Sequence, residues 1–261
     1  MNTYSIFLLI FIVLIQSGFA QTDYDRLEAE IINTEKTIVA KLTGHEPIKG
    51  RKKLSSRASD SERKVTADYL YNSLKDIDLK AQKHEYNVKN KKGDIFKGVN
   101  VYAEIPATNS SKEYVVIASH YDTVENSPGA VHNATGVAIA FYVAKKIAEL
   151  EERNKNFIVV FFDHWKSNLI GTRLFTKKLK EENYNIHSMH RADYMGWDND
   201  EDRAIELLAS NISLESLYRI ESPVPIYKRT VATPESRFFS NFGFDTVTMT
   251  AELRNADNYP F

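Results

Sequence analysis

Cysteine is absent from all 261 positions. That excludes disulfides and thiolate metal sites, so any bound metal would need His and carboxylate ligands. A charge excess is absent too: 34 Lys and Arg against 35 Asp and Glu leave a formal net charge of −1. So balanced a chain has no broad basic face for nucleic acid, and Arg51-Lys52-Lys53 is too short a run to make one. No Gly-Xaa-Ser-Xaa-Gly elbow occurs, so neither Ser nor Cys has support as a nucleophile. Repeats, low-complexity tracts and domain linkers are missing as well. A chain of this length then suits one α/β domain, large enough to bury about three quarters of its unfolded surface.

The first twenty residues stand apart. Met1–Ser5 is a short polar lead and Ile6–Ile15 an unbroken apolar run. Gly18-Phe19-Ala20 places small residues, Gly18 and Ala20, at the two cleavage-site positions, the layout of a secretory signal peptide over residues 1–20. The run falls well short of the roughly twenty apolar residues that span a bilayer. These features predict a secreted, periplasmic or extracellular protein with no stable membrane anchor after cleavage, leaving residues 21–261 as a single domain.

Residues 23–43 carry Leu27, Ile31, Ile32, Ile38, Val39 and Leu42 at helical spacing. Ser59-Asp60-Ser61-Glu62 predicts a capped helix start, running to Leu74. Lys83–Val88 and Val99–Ile105 read as strands, with hairpin chemistry at Lys89–Gly93. Strand, helix, strand, helix and strand follow at Tyr114–Ser119, Thr135–Leu150, Asn156–Phe162, Gly171–Glu182 and Ser188–Asp193. The near-continuous apolar strands imply parallel pairing with helices on both faces. Further elements are expected near Ala204–Leu208 and Thr246–Thr250 (strands) and near Leu214–Ile220 and Ser236–Phe242 (helices).

In such sheets functional groups collect past the carboxyl ends of the strands. Three of these ends read Ser119-His120-Tyr121-Asp122, Phe161-Phe162-Asp163-His164 and Ala192-Asp193-Tyr194-Met195-Gly196. Two set a His beside an Asp and the third carries an Asp alone.

These stretches, with Pro128-Gly129-Ala130-Val131-His132-Asn133-Ala134-Thr135-Gly136 and Leu169-Ile170-Gly171-Thr172, resemble the co-catalytic (di-zinc) aminopeptidase family. That family also includes glutaminyl cyclases and the transferrin-receptor protease-like domain. The blocks stand in the family's order from about Gly98 onward. The resemblance implies a three-layer α-β-α zinc-exopeptidase fold of the phosphorylase/hydrolase-like type, its mixed sheet having a parallel centre. It also implies binding of peptides or protein N-termini. His120 matches a zinc ligand, Asp122 the carboxylate that orients it, and Asp193 a later Asp ligand.

Elsewhere the chain departs from the pattern. The bridging Asp is replaced by His132, and the adjacent glutamates, one a general base and one a ligand, by Trp165-Lys166. The stretch before the family's late residues reads Pro234-Glu235-Ser236. The last ligand His would follow Asn258-Tyr259-Pro260-Phe261, so a C-terminus cut short is expected. The resemblance thus implies no retained catalytic residue and at most one zinc ion, held by His120, His132 and Asp193. The alternative is no metal, with His120 and Asp193 as hydrogen-bonded relics. Function divides accordingly between an inactive or impaired aminopeptidase homologue, a pseudoenzyme, and an active mononuclear zinc aminopeptidase using another base such as Glu235 or Glu252. Asp198–Asp202 lacks the Gly and distant Glu of a calcium loop and reads as solvated. His187 and His190 read as surface or hydrogen-bonded core histidines, and Trp165 as filling space left by altered neighbours.

Overall fold

The computed structural model describes residues 25–48, 50, 53–196, 205–210, 226–230, 233, 238–241 and 243–250. The leader, the Asp198–Asp202 loop, the helix expected near Leu214–Ile220, Glu235, Glu252 and Asn258–Phe261 lie outside the described residues.

Helix α1 covers 25–42 and buries Ile38 and Leu42. Helix α2 (Asp60–Asp76) begins at the capping box expected from sequence. The Ser59 hydroxyl accepts the Glu62 N–H at 3.3 Å, and the Glu62 carboxylate accepts the Ser59 N–H at 3.2 Å. Ser55 and Ser56 hydroxyls also donate to Glu62 and help hold its carboxyl down to about 2, against the opposing effect of burial. Strands β1 (Ala81–Lys89) and β2 (Ile95–Ile105) form the anticipated hairpin. Asn90 closes it by accepting the Lys92 and Asp94 N–H groups, each at 2.9 Å.

Strands β3 (Glu113–His120), β4 (Asn156–Phe162) and β5 (Asn185–Ala192) alternate with helices α3 (Thr135–Glu149) and α4 (Ile170–Glu181). Two more strands, β6 (Ile205–Ser210) and β8 (Asp245–Thr250), appear where the pattern places them. One that it does not announce is β7 (Ile226–Thr230), which pairs parallel with β6. The helix expected at Ser236–Phe242 is helical over 238–240; residues 236, 237 and 242 lie outside the described ones.

The eight strands among the described residues form one sheet in the order β1-β2-β4-β3-β5-β8-β6-β7. The block β4-β3-β5-β8 is parallel, β2 pairs antiparallel with β4 and β1 antiparallel with β2, and β6 pairs antiparallel with β8. Alternate residues face opposite layers. Val101, Ala103, Ile117, Val159 and Phe161 pack beneath α1, α2 and α3. Val116, Ala118, Val160 and Phe162 face α4 through Phe175 and Leu179. Three layers therefore bury the central strands on both faces, and their backbones end together at one rim. That rim carries the candidate site.

Candidate metal centre

Three rim segments supply the candidate ligands. His120 closes β3, Asp193 follows β5, and His132 lies in the turn Ala130–Ala134 that leads into α3. Gly129 opens this turn at φ 59, and a Cβ there would come within 2.3 Å of Thr123 Cγ2. The turn is fastened to both strands by Asn133, whose amide donates to Ser119 Oγ at 2.9 Å and to the Ala192 carbonyl at 3.0 Å. Gly136 lets α3 approach, since a Cβ there would meet Ala192 O at 2.6 Å.

The result is convergent. His120 Nε2 lies 3.6 Å and His132 Nε2 3.7 Å from Asp193 Oδ1, and one donor atom from each residue falls within 4.8 Å of the others. Ligands about 2.0–2.1 Å from a tetrahedral zinc stand roughly 3.3 Å apart, so little adjustment is needed to hold one ion. These same three atoms are buried without a hydrogen-bond partner. Orphaned buried polar atoms are rare, and three that face one another fit a metal. The donor set, two imidazoles and a carboxylate, suits zinc.

Neighbouring groups orient the set. Asp193 Oδ2 pairs with Arg191 Nη2 at 2.5 Å, leaving Oδ1 to the histidines. Burial would raise the Asp193 carboxyl, but Arg191 and His120 outweigh it and keep it ionised. Behind His120, Nδ1 lies 3.2 Å from the Asp122 carbonyl oxygen and 3.5 Å from its carboxylate. Asp122 in turn accepts the N–H groups of Trp165 at 2.9 Å and Lys166 at 3.2 Å. Burial alone would depress His120, yet Asp122 and Asp193 lift it above its ordinary value. His132 has the opposite fate: burial, then the charges on His120, Arg191 and Lys166, push it down to about 3 despite Asp193. It is neutral at pH 7, as a ligand must be.

Trp165 and Lys166 follow Asp163 on the loop after β4. The indole stacks on His120 at 4.9 Å between centroids and meets His132 edge-on at 4.6 Å. Trp165 therefore fills space beside the candidate ligands. The Lys166 ammonium sits 4.2 Å from the centroid of that indole. Tyr194 stacks on the other partner, His132, at 4.0 Å.

The second His–Asp pair turns elsewhere. His164 Nε2 is 2.9 Å from Arg63 Nη2, and its Nδ1 is 2.9 Å from the Tyr86 hydroxyl. Since Arg63 can only donate, Nε2 accepts and the proton resides on Nδ1. Burial and Arg63 push His164 down to about 4, and Asp163 Oδ1 pairs with Arg63 Nε at 2.9 Å. His187 and His190 share a hydrogen-bonded Ser188 hydroxyl within β5 and do not join the three candidate ligands.

Sequence reasoning missed Arg57, which looks like part of a solvated basic loop and is wholly buried. Its guanidinium donates to the carbonyls of Leu42 and Tyr121 (both 2.5 Å), Pro128 (2.6 Å) and Gly129 (3.0 Å). It thus ties the segment after His120 to the turn before His132. Burial lowers this guanidinium to about 10 although Asp122 and Glu62 favour its charge. No periodicity marks such a residue, because its partners are backbone carbonyls. Asn133 and Arg191 escaped as well, because their partners on β3 and beyond β5 are brought near only by the fold.

Comparison with known proteins agrees with the fold. The sequence is 30% identical over 82 residues to a vacuolar membrane protease of Schizosaccharomyces japonicus, a stretch covering 31% of this chain and only 10% of that protein. The fold resembles BSAP, a zinc aminopeptidase from Bacillus subtilis, at TM-score 0.67 and 11% identity over 85% of this chain and 87% of BSAP. It also resembles LapB from Legionella pneumophila at TM-score 0.63 and 19% identity, covering 86% of this chain and 61% of LapB. No described helix is long and apolar enough to cross a membrane. The profile of peptidase family M28 matches residues 100–247, more than half the chain, and the protein belongs to that family of metallopeptidases.

Proposed function

We propose that this chain is a secreted M28 protein that binds one zinc ion at His120, His132 and Asp193 and recognises peptides, with its aminopeptidase activity lost or severely impaired. The observation that carries this is the meeting of three orphaned donor atoms around a single point, beside an indole and an ammonium. A zinc ion there would act as a Lewis acid toward a peptide carbonyl. The chain's own residues support binding of the ion: Arg191 steers the Asp193 carboxylate, Asp122 orients His120, and Asn133 fastens the His132 turn. None of the described residues around the three ligands is a free carboxylate able to take a proton from water. Asp122 accepts two backbone N–H groups, and Asp193 is paired with Arg191.

A second metal ion is disfavoured by charge. A unit like-charge pair at about 4 Å costs roughly 4 kcal/mol at an effective dielectric of 20, and a divalent ion about doubles that. Lys166 brings positive charge to this neighbourhood, close enough to bear on His132, and opposes a second cation by part of that amount. Elemental analysis of purified protein should give one zinc per chain, and aminoacyl-nitroanilides should show no chelator-sensitive turnover. Two zinc ions with brisk turnover would refute the proposal. One zinc with chelator-sensitive turnover would establish the active mononuclear alternative instead. Export, supported by Ile6–Ile15 and Gly18-Phe19-Ala20, is tested by N-terminal sequencing of the mature protein, which should begin at Gln21.

A further inference from the structure

A pocket of about 550 Å³ opens between the tip of the β1–β2 hairpin and the start of α4. Phe96, Ile170 and Leu174 give it an apolar lining, and Lys89, Lys166 and Arg173 give it three cations. No carboxylate lines it among the described residues. Lys89 and Arg173 are exposed and form no ion pair among those residues. Like charges gathered around a concavity repel one another, and an anion entering it relieves that repulsion. An apolar lining beneath cations suits a carboxylate carried on an apolar body rather than a bare inorganic anion.

The pocket is close to the candidate centre. The loop after β4 holds Trp165 against His120 and, one residue later, directs Lys166 into the pocket. The indole is common to both, with the ammonium 4.2 Å from its centroid and the His120 ring 4.9 Å from it, so ammonium and ring are at most about 9 Å apart. Extended chain advances about 3.3 Å per residue, so two or three residues bridge that interval.

We propose that this pocket is a carboxylate subsite. It takes the C-terminal carboxylate and apolar last side chain of a di- or tripeptide whose amino end lies at the His120–His132–Asp193 centre. The inference rests on the peptide-recognition part of the function proposed above and not on zinc. It narrows the ligand class from peptides in general to short ones held at both ends.

The test is calorimetric titration of the mature protein, with and without one equivalent of zinc, using Ala-Ala-Leu, its C-terminal amide and 4-methylpentanoate. The free-acid tripeptide should bind at least tenfold more tightly than the amide. Lys89→Gln and Arg173→Gln should each weaken the acid at least threefold and leave the amide unchanged; both are exposed, so folding should be unaffected. Equal binding of acid and amide, binding of neither, or indifference to both substitutions would overturn the inference. If 4-methylpentanoate binds as tightly as the tripeptide, the pocket serves free organic acids and the peptide assignment fails. Acid–amide discrimination without any zinc uptake would refute the metal centre alone and leave the subsite standing.

Discussion

Replacing Asp193 by Asn separates the two roles of its carboxylate. The side chain pairs with Arg191 at 2.5 Å, both being almost fully buried, and stands 3.6–3.7 Å from the two imidazoles. Removing one member of a buried ion pair costs about 3–5 kcal/mol. The Asn amide oxygen can still accept a hydrogen bond from Arg191, so the lower end, about 3 kcal/mol, applies. At roughly 2–4 °C per kcal/mol for a domain of this size, Tm should drop by about 6–12 °C. His132→Ala is the companion variant. His132 is neutral and touches Trp165, Tyr194 and His120 through ring contacts, so its loss should cost the apo fold only about 1–2 kcal/mol. Zinc at a hundred times its Kd should add about 2.7 kcal/mol to the native protein. Neither variant should gain that increment. The measurement is chemical and thermal unfolding of the three proteins in chelator and in added zinc. A zinc increment that survives in both variants, or an Asp193→Asn protein as stable as the parent, would refute the geometry described for the centre.

Three further outcomes follow from other parts of the molecule. Arg57→Met should strand four carbonyl oxygens and cost about 4 kcal/mol or more, read by urea unfolding; a cost under about 1 kcal/mol would show that the guanidinium does not hold the ligand loops. Ser59→Ala should cost about 1 kcal/mol through loss of the α2 cap, with a lower urea midpoint and an unchanged m-value; no change would deny the cap its role. His164 is held at about 4 against an ordinary 6.5, so between these values protons bind the unfolded chain first and stability is lost as pH falls from about 6.5 to 4. Asp163, pushed up to about 7 by burial and Asp122, acts with the opposite sign over the same range. His164→Gln should therefore flatten the acid limb of the stability–pH curve, and an unaltered limb would contradict the neutral tautomer assigned to His164.

Much of the architecture is legible in the residues because burial imposes periodicity. Runs such as Asn156–Phe162, apolar on both faces, can only be central strands, and Ser59 through Glu62 spell a cap through local hydrogen bonding. β7 was illegible because a short edge strand with two cations has no such pattern. At the site, His120, His132 and Asp193 could be picked out by their places after strands and by family resemblance. The parallel Asp163–His164 pair reads much the same in sequence, yet Arg63 and Tyr86 draw it into a separate network.

What the linear chain determines by itself is chemical inventory and local preference: no thiol, Trp165-Lys166 rather than a glutamate pair one residue after Asp163, strands and helices alternating, a His or Asp at three strand ends. Tertiary structure decided which of those groups meet. Asp193 and His132 are 61 residues apart in numbering and 3.7 Å apart in space. Arg57, which braces the segments carrying His120 and His132, acts on backbone carbonyls that are the same in every residue and so leave no trace in residue type. Distances between strand ends depend on the order of strands in the sheet, and that order is a property of the packed chain as a whole.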